Sequence, residues 1–167
     1  MRRERATKRR TRECIPLITR DDSPTFAKDK MKENEQYAYF TVTDSFDPDD
    51  ITKRVGVKPT DSWRKGDLNP KNRMERKFSR WNLASRLDKT ADLEDHIRDV
   101  LAQLDENAGA FQEVSLSFGG CMQLVGYFAV QYPGLSFDRA IVEGLSKYSL
   151  SVDFDFYWLY SDGREDT

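Results

Sequence analysis

Trp63-Arg64-Lys65-Gly66-Asp67 sets an indole beside two cations and a turn. That combination can hold an anion or the acidic surface of a partner. The alternative is that Trp63 lies in a core and Arg64 pairs locally, for instance with Asp153 or Asp155. A basic loop follows, with Lys71, Arg73, Arg76, Lys77 and Arg80, and extends the cationic character. Asp153 and Asp155 stand two apart in a strand pattern, which puts both on one face with Cβ atoms roughly 6–7 Å apart. Such a pair suits acid/base hydrolysis. It equally suits solvent-facing acids that meet basic neighbours and discourage edge aggregation. Trp63, Arg64, Lys65, Asp67, Trp81, Asp153 and Asp155 are therefore the candidate binding residues.

Other chemistry finds less support. His96 is the single histidine, on the flank of an apolar stripe, and no nucleophile or orienting carboxylate stands at a telling spacing. It reads as a half-buried structural residue. One histidine and two distant cysteines do not make a zinc site. Asp44, Asp47, Asp49 and Asp50 imitate a calcium loop in charge only, since the glycine and distal glutamate are missing and Pro48 interrupts. Gly119-Gly120 lacks a following Lys-Ser/Thr, so it is not a phosphate loop. No catalytic residue, metal or cofactor is expected.

The 167 residues allow one domain of ordinary size with a tail. Aromatic residues at 12% argue against wholesale disorder. No apolar run approaches the roughly 18 residues of a spanning helix, so no membrane is expected. Cys14 and Cys121 are too few for a disulfide framework and read as reduced thiols of a cytoplasmic protein.

Charge is unevenly spread. Residues 1–20 hold eight Lys/Arg against Glu4 and Glu13, leaving +6, so the rest carries −8 within a net charge of −2. Arg2, Arg3, Arg5, Lys8, Arg9 and Arg10 could contact nucleic acid, although basic runs are commonly plain solvated tails. Residues 1–36 read as a disordered basic arm, 37–160 as a single domain and 161–167 as an acidic tail. Met31 stands just before the first strand, and a start there would lose nothing that reads as core.

Alternation predicts a strand from Tyr37. Asp47, Pro48 and the acids behind them predict a short helix ended by Gly56. Trp63 opens a short strand, and Trp81 and Leu83 share a face of the next. Leu93, Ile97, Val100, Leu101 and Leu104 make the helical stripe of the strongest helix. Val114, Leu116 and Phe118 alternate as a strand, with Gly119-Gly120 as its hairpin turn. After a strand from Met122, Ser136 caps a helix carrying Phe137, Ile141, Leu145 and Tyr148. In the last strand Phe154, Phe156, Trp158 and Tyr160 share one face, expected to lie under the helices, and Asp153 and Asp155 the other. The fold class is α+β, a two-layer sandwich with a mainly antiparallel sheet and helices on one face. The expected order is β-α-β-β-α-β-β-α-β.

Asp47-Pro48-Asp49, Ile51-Thr52, Val55-Gly56-Val57-Lys58-Pro59-Thr60, Trp63-Arg64-Lys65-Gly66-Asp67, Trp81-Asn82-Leu83 and Leu150-Ser151-Val152-Asp153-Phe154-Asp155 occur in that order. Over roughly residues 37–160 the chain resembles the bacterial family of domain of unknown function 4279. The resemblance implies a small bacterial or phage α+β domain and supplies no catalytic residues. The leading expectation is a non-enzymatic binding domain that engages a protein, by analogy an immunity-type partner. The alternatives are a nucleic-acid contact protein using the arm and loop 71–80, and a small hydrolase using Asp153 and Asp155.

Overall fold

A computed structural model describes residues 34–129 and 134–159. The arm up to residue 33, with Cys14, falls outside the described residues, as do Tyr160 and the acidic tail. The elements run β1 (Glu35–Asp44), α1 (Pro48–Val55), β2 (Asp61–Trp63), β3 (Ser79–Ala84), α2 (Leu93–Asp105), α3 (Ala108–Phe118), β4 (Cys121–Phe128), α4 (Arg139–Lys147) and β5 (Ser151–Trp158). One five-stranded sheet has the order β2-β3-β1-β4-β5. The first three pairings are antiparallel, and β4 with β5 is parallel because α4 carries the chain back across the sheet. The fold is α+β, with a mixed sheet.

The short helix forms as its sequence predicts. The Asp47 side chain accepts from the Asp49 amide, and Gly56 ends α1 with a left-handed φ of 73°. Residues 114–118, in contrast, are not a strand. They finish helix α3, in which Phe111, Val114 and Ser115 are buried. With Phe118 these positions follow helical spacing, and Leu116, expected inside, is 66% exposed. Gly119 is the helix cap at φ 70°, its N–H donating to the Ser115 carbonyl, so the Gly-Gly pair stops a helix and turns no hairpin. The observed order is therefore β-α-β-β-α-α-β-α-β. The α4 cap is Asp138, whose carboxylate accepts from the Ile141 amide at 2.9 Å; the Ser136 amide instead donates to Glu94.

All four helices among the described residues lie on one side of the sheet. Ala38, Phe40 and Val42 of β1, Trp81 and Leu83 of β3, and Met122 and Leu124 of β4 share a core with the helix residues Ile51, Ile97, Leu104, Phe111 and Ile141. At its centre Phe40, Trp81 and Phe111 meet pairwise with ring centroids 5.7–6.1 Å apart, tilted or edge to face. The buried Trp81 indole donates to Thr52 Oγ1 at 3.0 Å, and Thr52 donates on to the Pro48 carbonyl, tying α1 to β3.

β5 departs from its expected burial. Phe156 packs edge to face on Phe128 at 5.3 Å. Phe154 is 51% exposed and Trp158 41% exposed, because β5 is an edge strand and α4 sits chiefly against α2, with Leu101 over Gly144. His96 is wholly buried, its Nδ1 2.8 Å from Ser85 Oγ. Burial pushes its pKa below 6.5, against the opposing pull of the Asp88 carbonyl and the carboxylates of Asp99, Asp95 and Asp88.

Two outcomes follow in denaturant and thermal unfolding. Trp81→Ala should cost about 3–5 kcal/mol through lost burial and a cavity, whereas Phe154→Ala should cost roughly 1 kcal/mol. Because the unfolded chain protonates its histidine first, stability is full above pH 6.5 and falls as the pH drops below that value toward the lower folded pKa. His96→Gln should flatten that part of the profile. The fall caused by the aspartates whose pKa values are lowered, such as Asp99, lies below their ordinary 3.8 and should remain.

Candidate binding surface

The sheet face turned away from the helices collects the polar and aromatic alternates of the strands. Register places Trp63 beside Arg80, Arg80 beside Thr43, and Asn82 beside Thr41. Farther along, Tyr39 lies beside Gln123, which lies beside Asp153; Tyr37 lies beside Val125, which lies beside Asp155. No helix among the described residues covers this face.

At the β2 corner the Arg76 guanidinium sits 4.0 Å from the Trp63 ring centroid and that of Arg80 5.2 Å. Each such contact contributes about 0.5–2 kcal/mol depending on exposure. Four polar atoms on this face are buried and make no hydrogen bond: Trp63 Nε1, Arg80 Nε, Asn82 Oδ1 and Thr41 Oγ1. They form two adjacent cross-strand pairs and make up most of the seven such atoms among the described residues. A buried polar group left in that state costs about 1–3 kcal/mol, so this corner is polar beneath its surface as well as on it.

The connection from β2 to β3, expected as a basic loop, is an ordered hairpin. The Gly66 amide donates to the Arg76 carbonyl, the Arg76 amide to Asp67 and the Asn69 amide to Met74, each at 2.8 Å, and Leu68 faces Glu75 in an antiparallel bridge. Its surface exposes Lys65, Lys71, Arg73 and Lys77, none in an ion pair with a described residue. Leu68 and Met74 are half-exposed near its tip.

The opposite end of the face is acidic and tyrosine-rich. Tyr127 stacks on Tyr157 at 5.0 Å and Tyr37 on Tyr39 at 6.2 Å. The Tyr37 hydroxyl donates to Tyr127, and that of Tyr157 is directed at Asp155. Burial first, then these neighbours, push both hydroxyls well above their ordinary pKa of 10, so they remain protonated donors. Tyr39 lies between the poles, raised by burial and by Asp155 and lowered by Arg80.

The structure thus divides the expected site residues. Trp63, Asp153 and Asp155 share the uncovered face. Trp81 is 0% exposed in the core and is not available to a partner. Arg64 does not meet Asp153 or Asp155; its guanidinium reaches Asp47 at 2.8 Å and Asp49 at 2.6 Å, two acids at the start of α1 that are near in space though distant in sequence. Asp67 accepts from the Arg64 amide at 2.7 Å and so shapes the turn, and the Lys65 amide donates to Ser79. Arg2, Arg3, Arg5, Lys8, Arg9 and Arg10 lie outside the described residues. Sequence reading missed the unpartnered polar corner and the joining of Arg76 and Arg80 over Trp63. Alternation in β1 and β3 held the signal, because Tyr37, Tyr39 and Thr41, and Arg80 and Asn82, fall on the non-core positions.

On the helix side, a cleft of about 480 Å³ opens between the start of α2 and residues 134–136. Most of its charged groups are already engaged, Arg98 by Asp95 and Asp138, and Glu94 by Ser136. Among the described residues no group of His, Cys, Asp and Glu could hold a metal, and no helix is long and apolar enough to cross a membrane.

No curated protein and no solved structure matches this chain. The family model described as domain of unknown function (DUF4279) matches residues 34–159, which takes in every element of the sheet and its helices. With well over half its length matched, the chain belongs to the DUF4279 family.

Proposed function

We infer that the protein is a binding domain that engages a protein partner through the corner formed by Trp63, Arg76 and Arg80 and the basic hairpin beside it. The gathering of the Arg76 and Arg80 guanidinium groups over the partly exposed Trp63, beside the exposed Lys65, Lys71, Arg73 and Lys77, carries this reading. Tryptophan, tyrosine and arginine are the residue types that dominate interface energetics. The partner surface that fits is acidic. Carboxylates can accept from the guanidinium groups of Arg76 and Arg80 and screen Lys65, Lys71, Arg73 and Lys77.

A second reading rests on those same unpaired cations. A hairpin with four exposed Lys/Arg beside a tryptophan also suits a nucleic-acid backbone, with Trp63 available for base stacking. The acidic remainder of the chain weighs against general affinity for polyanions.

One variant tests both. Arg76→Ala with Arg80→Ala removes two partly exposed cations and no core side chain; loss of both contacts to Trp63 should lower the thermal midpoint by several degrees and leave a cooperative transition above the assay temperature. The protein reading expects a specific protein, recovered by the wild-type domain from native lysate and identified by mass spectrometry, to be lost with the double variant. Its retention by that variant sinks the reading. The nucleic-acid reading expects the wild-type domain to bind duplex or single-stranded oligonucleotides, with log affinity falling linearly as log salt rises. No binding at low salt ends it.

A further inference from the structure

Among the described residues the sheet ends at β5, and nothing pairs with the outer side of that strand. The Ser151 amide donates to Gly120 at 3.1 Å and the Leu159 amide to Phe128 at 2.9 Å, bracketing the parallel ladder. Odd-numbered residues therefore turn their backbone groups toward β4, and Val152, Phe154 and Phe156 turn theirs outward. No described element pairs with them. An open edge of this length is a template for another strand.

The side chains along the edge restrict what can be added. Asp153 and Asp155 stand on the uncovered face, both partly exposed and neither in an ion pair with a described residue. On the other face Phe154 is half-exposed, stacked on Phe137 at 6.2 Å and edge to face on Phe156 at 5.6 Å. An incoming strand would set alternate residues beside Asp153 and Asp155 with Cβ atoms about 4.5–5.5 Å away, and the residues between them beside Phe154. A second copy of β5 would bring aspartate against aspartate, which is unfavourable directly across a pair. A strand with Lys or Arg at every second position and apolar residues between satisfies both faces.

We propose that the outer edge of β5 is a strand-addition site for an extended basic segment of another protein, with cations at alternate positions facing Asp153 and Asp155 and apolar side chains facing Phe154. Backbone hydrogen bonds to Val152, Phe154 and Phe156 supply affinity, and the two carboxylates select the charge pattern. This surface is separate from the Trp63 corner, at the opposite edge of the sheet, and it selects the opposite charge.

The test uses the full chain and three capped synthetic peptides long enough to span β5. One alternates lysine and valine, one alternates glutamate and valine, and one holds the same lysines and valines in two blocks. Amide hydrogen exchange followed by NMR reports on Val152, Phe154 and Phe156, and a titration gives the affinity. The expected result is that the alternating lysine peptide alone slows exchange at those three amides. Asp153→Asn with Asp155→Asn should weaken its binding roughly three- to tenfold, as two cross-strand charge pairs imply. Equal binding of the glutamate peptide to the wild-type protein overturns the proposal, and this comparison needs no variant. So does an unchanged exchange rate with the lysine peptide. Protection already present in the full chain alone, lost when residues 1–33 are removed, would assign the edge to this chain's own arm. A concentration-dependent dimer in ultracentrifugation, dissociated by the lysine peptide, would assign it to a second copy. Either outcome refutes a foreign segment. Because the readout is local to β5, it is independent of whether the Arg76 and Arg80 variant loses its partner.

Discussion

Every strand here must satisfy two faces, and the four helices cover only one of them. That constraint organises the molecule. β1 lies at the centre of the sheet with an antiparallel neighbour on each side, so its alternation fixes the two layers. Ala38, Phe40 and Val42 go to the helices, and Tyr37, Tyr39 and Thr41 go to the other side. A one-residue slip in register would exchange the two sets, bury tyrosines and threonine against α2 and α3, and expose the phenylalanine that meets Trp81 and Phe111. The aromatic triad thus holds the register of the sheet as well as its core.

The uncovered face inherits what the core does not use. Long polar and aromatic side chains lie over it and over one another, and they divide by charge. Arginines gather over Trp63 at the β2 edge, and carboxylates and tyrosines gather along β4 and β5. The separation follows from strand order, since β3 and β5 stand on opposite sides of β1 and β4. One sheet therefore offers a cationic corner for acidic groups and an acidic edge for basic ones.

β5 is the last strand of the described sheet, and it runs parallel to β4. A hairpin from β4 would have put the final strand antiparallel with a tight turn. The chain instead passes through α4, which docks on α2. Among the described residues nothing pairs with the outward backbone groups of Val152, Phe154 and Phe156, and Phe154 beside them is only partly covered.

Much of the local structure was legible in the residues. The Asp47-Pro48 start and Gly56 stop of α1, the apolar stripe of α2 and the strict alternation of β5 are set by neighbours within a few positions, where backbone sterics and capping dominate. So was the placement of Asp153 and Asp155 opposite Phe154 and Phe156. The segment from Val114 to Phe118 misled, because three apolar residues at period two also fit a helix whose stripe began earlier, at Phe111. Other questions were decided only by the tertiary structure. Both Trp63 and Trp81 read as strand tryptophans, yet Trp81 is sealed under α1 and α3 while Trp63 lies beneath two arginines on the open side. Arg64 found Asp47 and Asp49 rather than Asp153 and Asp155. Periodicity tells that a strand has two unlike faces; it does not tell which element will cover either of them. Nor does it tell which charges, far apart in sequence, the crossover connections will bring within the few ångströms over which ion pairs act.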